Sequence, residues 1–305
     1  MGKLLHYALI PIAWLPLSLL YILSDLLAFT LHYVVRYRRK LVRTNLKKAL
    51  PHLSSSERKK VERKFYHQLC DYIFETIKLL HISDKEMQQR VTVKGAHLIE
   101  QAADEHRPAF LMIGHYGNWE WVQEITRRIT RPTLCCEIYR QAASPAFEYL
   151  MTTIRSRYHT RLITQNQAGW EILRMRRESG TFLLGLISDQ RPTRRSLDSW
   201  TTFLHQDTPY LTGGERIGQR VDAKFLYLEV SRPSRGHYDM TIHDMVLPTD
   251  GSFEGVEHPY SLLYLRLLER DILRCPELWL WSHKRWKHHR QDNTPQEQNS
   301  ISKEI

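Results

Sequence analysis

The stretch 109–120 holds the residues best suited to chemistry. Five apolar residues read as a buried strand, Gly114 ends it, and His115 follows at the strand's C-terminal tip. Glu120 comes about one turn into the helix-like segment that follows, where it can reach back. A carboxylate on one imidazole nitrogen fixes the tautomer. It also stabilises the imidazolium formed when the other nitrogen takes a proton. The pair therefore suits a general base that activates an alcohol, with no residue nucleophile needed. Gly117 and Asn118 fall at the expected helix start, where free backbone N–H groups bind anions. Spacing alone leaves a second reading open, a polar strand-to-helix turn whose histidine is satisfied locally.

Other short stretches end the same way, with polar residues directly after an apolar run. Arg140 follows the run 133–138 and Tyr139, where a guanidinium can grip a phosphate with two hydrogen bonds. Asp189 and Gln190 follow the run 182–187, and Arg191, Arg194 and Arg195 behind them form either an anion-binding rim or a solvated basic loop. Thr212 precedes two glycines as an N-cap would, but no Gly-Lys-Ser/Thr follows to make a P-loop. Residues 276–290 interleave Trp279, Trp281 and Trp286 with basic residues, a pattern for a membrane interface or for stacking on single-stranded nucleic acid. His283, His288 and His289 have no zinc-like spacing, and the four cysteines form no CxxC pair, so no metal is expected.

A scaffold must carry these tips. Apolar runs at 91–93, 109–113, 133–138, 182–187, 223–230 and 238–242 read as strands. Helical stretches near 96–103, 118–130, 144–157 and 167–178 alternate with several of them. The expected fold class is α/β, a mostly parallel mixed sheet flanked by helices, with ligands at the C-terminal strand ends. Residues 260–273 read as a late helix. Residues 54–80 read as a helix whose N-terminus is a capping box of Ser54 and Glu57.

Ahead of all this, residues 4–35 are almost wholly apolar, long enough to cross or enter a bilayer, and broken by Pro11 and Pro16. Seven basic residues crowd positions 36–48, while only Lys3 lies on the other side. That asymmetry predicts a membrane anchor with the remainder in the cytoplasm, its cations against anionic lipid headgroups. The whole chain is basic, with 44 Lys and Arg against 33 Asp and Glu in 305 residues, which favours anionic partners. The organisation expected is an anchor over 1–37, a helical membrane-proximal segment over 38–90, an α/β domain over 91–290, and a disordered tail over 291–305.

Taken in order, these stretches resemble the lauroyl/myristoyl acyltransferase family of lipid A biosynthesis. The resemblance rests on the apolar N-terminus and an Arg-x-Asn-Leu element at 43–46. Gly-His-x4-Glu follows at 114–120, Tyr-Arg at 139–140, Asp-Gln at 189–190 and Thr-Gly at 212–213. Glu-x3-Trp-x-His-x-Arg-Trp-Lys closes the series at 277–287. It implies a glycerol-phosphate acyltransferase-like fold in the inner membrane, with the catalytic domain on the cytoplasmic side. It implies His115 and Glu120 as the catalytic pair and Arg140 as a contact to the acceptor's phosphate or the tetrahedral intermediate. Gly117, Asn118, Asp189 and Gln190, at the helix start and the strand tip, are the further substrate-binding candidates, with Asp189 suited also to orienting a neighbour or capping a turn. The resemblance implies acyl-carrier protein, or acyl-CoA, as donor and an anionic glycolipid as acceptor. No metal or redox cofactor and no nucleic acid are implied. Two alternatives stand beside it, an acyltransferase for a phospholipid or aminolipid, and a membrane-tethered nucleic-acid binder.

Overall fold

The computed structural model describes residues 2–131, 133–194, 197–288 and 290. Arg195, His289 and the tail over 291–305, each singled out in the sequence, lie outside the described residues. Five helices lead: α1 (Gly2–Trp14), α2 (Leu17–Phe29), α3 (Arg39–Ala49), α4 (Ser55–Lys78) and α5 (Asp84–Arg90). Then come β1 (Val91–Lys94), α6 (His97–Asp104), β2 (Ala109–Ile113), β3 (Cys135–Tyr139), α7 (Pro145–Arg155), β4 (Arg161–Thr164), α8 (Ala168–Glu178) and β5 (Leu183–Ile187). The chain continues through β6 (Trp200–Phe203), β7 (Gln206–Pro209), α9 (Gly213–Arg220), β8 (Lys224–Ser234), β9 (His237–Asp244) and α10 (Pro259–Arg274).

Seven strands form one sheet in the order β1-β9-β8-β2-β5-β3-β4. Strands β8, β2, β5, β3 and β4 run parallel, β9 runs antiparallel to β8, and β1 is parallel to β9. This is the mostly parallel mixed sheet that the alternation of strands and helices predicts. All five residues of β2 are buried, as a central strand covered on both faces requires.

Two neighbours in the sheet decide the site. β2 and β5 pair in parallel with Ile113 opposite Ile187. His115 and Asp189 each stand two residues past those partners, so two side chains 74 positions apart leave adjacent strand tips together. Strand spacing is about 4.8 Å, close enough for a direct hydrogen bond.

The sequence reading misses β4 and the β6–β7 hairpin. β4 is a short edge strand with only two aliphatic residues. The hairpin's two-residue turn is Leu204-His205, both at positive φ, a conformation usually signalled by Asn or Gly. Tertiary bonds hold it: Leu204 N–H donates to Glu269 (2.5 Å) and the Arg285 guanidinium to the Pro209 carbonyl (2.7 Å). The helix expected over 118–130 is a 3-10 helix, Trp121–Arg128.

The N-terminal run is not one helix. Pro16 sits extended between α1 and α2. An 18-residue stretch, Leu17–Val34, is long and apolar enough to cross a membrane by length and composition. Leu19, Ile22, Leu23, Leu26 and Phe29 are exposed on α2, whereas Leu17, Leu20, Ser24 and Ala28 are buried. The buried side meets polar residues of α4: Ser24 Oγ donates to Asp71 (2.6 Å) and Tyr21 Oη to Glu75 (2.9 Å). Helix α4 carries the expected capping box, Ser54 with Glu57, at its start.

Candidate active site

His115 is half-buried at the tip of β2. Its Nδ1 lies 2.6 Å from Asp189 Oδ1, and its backbone N–H donates to Asp189 Oδ2 (3.1 Å). The Trp279 indole N–H donates to the same Oδ2 (2.8 Å). Burial would push the Asp189 carboxyl up. The charge and two hydrogen bonds of His115, with the indole N–H, outweigh burial and hold it below the ordinary carboxylate range. An ionised Asp189 is acceptor-only, so His115 Nδ1 carries a proton in either charge state, and in the neutral ring Nε2 presents a lone pair. The Gln190 amide covers that lone pair, its Nε2 3.1 Å from His115 Nε2.

The floor of the site is aromatic. Trp119 meets the His115 ring edge-on at 5.1 Å between centroids and stacks on Tyr72 of α4 at 3.9 Å. Phe65, Leu69, Tyr72, Trp119, Leu278 and Leu280 line a tight apolar crevice beside it, with room for about 10 Å³. A cavity of about 640 Å³ between α1, the loop after α4 and α7 does not include His115. Beside the His115–Asp189 pair sits His283, whose imidazole is pushed down to about 4, by burial first, and so stays neutral near pH 7.

An imidazole with a fixed tautomer, an ionised acid behind it and a lone pair facing a sheet edge is built to take a proton from a substrate. Sequence comparison decides whose chemistry this resembles. The family model for "Bacterial lipid A biosynthesis acyltransferase" matches residues 4–288. The chain belongs to that family. It is similar to the "Lipid A biosynthesis palmitoleoyltransferase" of Escherichia coli (strain K12) and the "Lipid A biosynthesis acyltransferase" of Shigella flexneri. Each is 20% identical over 253 residues, which is 83% of this chain and 80% of the relative.

For this lipid A acyltransferase family member, the geometry reassigns several residues singled out in the sequence. Glu120 does not meet His115. It is buried, and Arg155 of α7 grips it with both Nε (2.9 Å) and Nη2 (2.6 Å), while Tyr72 Oη adds a third donor (3.3 Å). The cause is local. Gly117 turns the chain at φ 67°, and Asn118 Oδ1 then accepts the N–H groups of Glu120 and Trp121. That turn aims Glu120 at α7. The same bonds occupy the donors expected to bind an anion. Gly117 N–H donates to the Leu278 carbonyl (3.0 Å), and the Asn118 amide is buried against Glu75 (2.7 Å). Gly117 and Asn118 are thus framework for the loop, and a side chain at Gly117 would collide with Val230.

Arg140 stands where expected, past the end of β3 at the same edge of the sheet, exposed and without a hydrogen bond or ion pair among the described residues. With β5 between them, it is two strands from His115, about 10 Å along the sheet. Thr212 precedes α9 as expected of an N-cap but makes no side-chain cap bond. Two indoles of the Trp-rich segment are turned inward and away from any membrane surface, Trp279 and Trp281 being 3% and 0% exposed, while Trp286 is half-buried. The segment packs on the site, and Asn45 of α3 donates to the carbonyls of Trp281 (2.9 Å) and His283 (3.1 Å). The Arg-x-Asn-Leu and Trp-x-His stretches, far apart in sequence, therefore meet next to the His115 loop.

Neither the Arg155–Glu120 pair nor the Trp279–Asp189 hydrogen bond has a sequence signal. The meeting of His115 with Asp189 does have one. Ile113-Gly-His and Ile187-Ser-Asp close two apolar five-residue strands in the same way, with one small residue and then a titratable one.

Proposed function

We propose that this chain is a membrane-bound acyltransferase that moves a fatty acyl group from an acyl thioester to a hydroxyl of a lipid A precursor, with His115 as general base and Asp189 as its orienting acid. The observation that carries this reading is the 2.6 Å contact between His115 Nδ1 and a buried, ionised Asp189 at the C-terminal edge of a parallel sheet. The acceptor hydroxyl takes the place of the Gln190 amide at Nε2 and gives up its proton there as its oxygen attacks the thioester carbonyl. The tetrahedral intermediate collapses, the C–S bond breaks, and the imidazolium returns the proton to the departing thiolate. An ester and a free thiol result.

The donor in this reading is acyl-carrier protein or acyl-CoA, and the acceptor is a phosphorylated, acylated glucosamine disaccharide. Arg140 is a phosphate contact on the same sheet edge, and Glu120 with Arg155 holds α7 under the site. The exposed apolar face of α1 and α2 enters the inner membrane from the cytoplasmic side, with the cations of residues 36–48 at the headgroups. Because α2 is bonded along its other side to α4, a helix lying against the domain fits better than a free spanning one.

The test is transfer of a radiolabelled acyl chain from its thioester to a purified lipid A precursor, in detergent or vesicles. His115→Ala should lose on the order of a hundredfold or more in kcat while keeping its melting temperature. Full activity in that variant would overturn the reading.

A further inference from the structure

We propose that Trp279 is a positioning residue for acyl transfer, its indole N–H fixing the Asp189 carboxylate in the orientation that serves His115. The inference rests on His115 acting as the base, as proposed above. A buried tryptophan needs a partner for its N–H, and most backbone carbonyls would serve. Trp281, two residues on and equally buried, donates to the carbonyl of Pro276 in its own segment (2.6 Å). Trp279 instead reaches across to the acid.

The backbone around Trp279 is aligned for that reach. Leu278 accepts from Gly117 N–H (3.0 Å), Leu280 N–H donates to His115 (3.2 Å), and Trp279 pairs with Tyr116 as a single antiparallel bridge. The segment is a strand-like strap laid along the His115 loop, with Trp279 at its middle. Its ring packs edge-on against Phe203, Trp281 and Trp286, which leaves it little freedom to turn away. With two N–H donors on Oδ2, rotation of the carboxylate is blocked and Oδ1 is left for His115 Nδ1. Asp189 is about as buried as Trp279, so no water competes for these bonds.

A pH profile reads this contact cleanly. The other charged or titratable groups facing the pair are His283 and Arg285 on the strap, Arg191 after β5, and Tyr264 on α10. Burial pushes His283 down to about 4 and holds Tyr264 well above its ordinary range. Burial pushes the Arg285 guanidinium down to about 10, so it and Arg191 remain mostly charged across the assay range. Between about pH 5 and pH 9, then, these neighbours do not change state. Without the indole N–H, the Asp189 charge is less dispersed and holds a protonated imidazole more tightly. The base is then lost at a higher pH.

The experiment measures kcat and kcat/KM against pH for the full-length protein, for Trp279→Phe, for Trp281→Phe and for His115→Ala. In Trp279→Phe the acid limb of kcat/KM should move up by about half to one pH unit, the scale of one hydrogen bond. Its plateau kcat should fall about three- to tenfold, with KM for the thioester unchanged. Trp281→Phe should leave the limb in place. An unmoved limb in Trp279→Phe overturns the inference while a dead His115→Ala leaves the base intact. An active His115→Ala overturns the reading beneath it instead. Should Trp279→Phe not fold, the indole ¹H–¹⁵N signals of the wild-type protein serve. One of them should titrate with the midpoint of the acid limb and stop doing so in Asp189→Asn. Absence of such a signal overturns the inference.

Discussion

Replacing Asp189 by asparagine separates the pair seen in the structure from the pair suggested by sequence spacing. Asp189 Oδ2 accepts two N–H groups, from the His115 backbone and the Trp279 indole, while Oδ1 meets Nδ1. An asparagine has one oxygen for the two positions. If its amide nitrogen took the Oδ2 position it would face two donors inside a closed site. It should therefore turn its oxygen to them and its amide N–H groups to Nδ1. The imidazole must then accept at Nδ1 and carry its proton on Nε2, which removes the lone pair that activates the hydroxyl. Loss of the charge-assisted bond alone is worth about 1.5–3 kcal/mol, or roughly ten- to a hundredfold in rate. The wrong tautomer raises the total toward the roughly 10⁴-fold loss seen when a triad aspartate is made asparagine in a serine protease. Asp189→Asn should thus lose between about 10² and 10⁴ in kcat. Single-turnover acyl transfer with saturating acceptor measures it, alongside a thermal melt. A kcat within tenfold of wild type at an unchanged melting temperature would refute the argument. Refutation would be sharper still if Glu120→Gln lost two decades of rate without any loss of stability.

Two further outcomes follow from buried charge. Glu120→Gln removes the closer carboxylate of the Arg155 guanidinium and leaves it Glu137 at 3.5 Å, and breaking a buried pair costs about 3–5 kcal/mol at full effect. Since an amide still accepts one bond, the melt should fall by about 5 °C or more, with kcat kept within about tenfold below the transition. His283 gives a pH effect of defined sign: its folded value is about 4, against an ordinary 6.5, so the unfolded chain binds its proton first. That contribution to stability is intact above pH 6.5 and is lost as pH falls toward 4; His283→Asn should flatten the melting temperature over that range.

Local signals carried the scaffold well. β2 was read residue for residue, the capping box at Ser54 and Glu57 is formed, and the late helix lies where its spacing put it. These features depend on neighbours within a few positions. The acid partner of His115 depends instead on which strands are adjacent and in what register, and the sheet places β5, not β3, next to β2. Glu120 was nearer in sequence, but one left-handed glycine turned it toward a helix 35 residues away. The tryptophans of the C-terminal segment looked like interface residues because composition cannot distinguish an indole facing lipid from one packed on a catalytic loop. The hairpin was invisible because its turn uses Leu204 and His205 where Asn and Gly would have announced it.

The polar bonds between α2 and α4 have a consequence for where the reaction takes place. Glu75 accepts from Tyr21 of α2 and also from Asn118 of the His115 loop (2.7 Å). Arg235, at the β8–β9 turn, clasps Asp25 of α2 (2.8 Å) and Asp71 of α4 (2.5 Å) together. One carboxylate thus stands between α2, whose outer face is apolar and exposed, and the residues that carry His115. If, as proposed, the apolar face of α2 is seated in lipid, His115 is set at a fixed height and tilt over the bilayer surface, like a cutter mounted on a rail. A hydroxyl is reached only if its own lipid chains let it rise to that height. Part of the enzyme's choice of acceptor would then be made by altitude before any pocket touches the sugar.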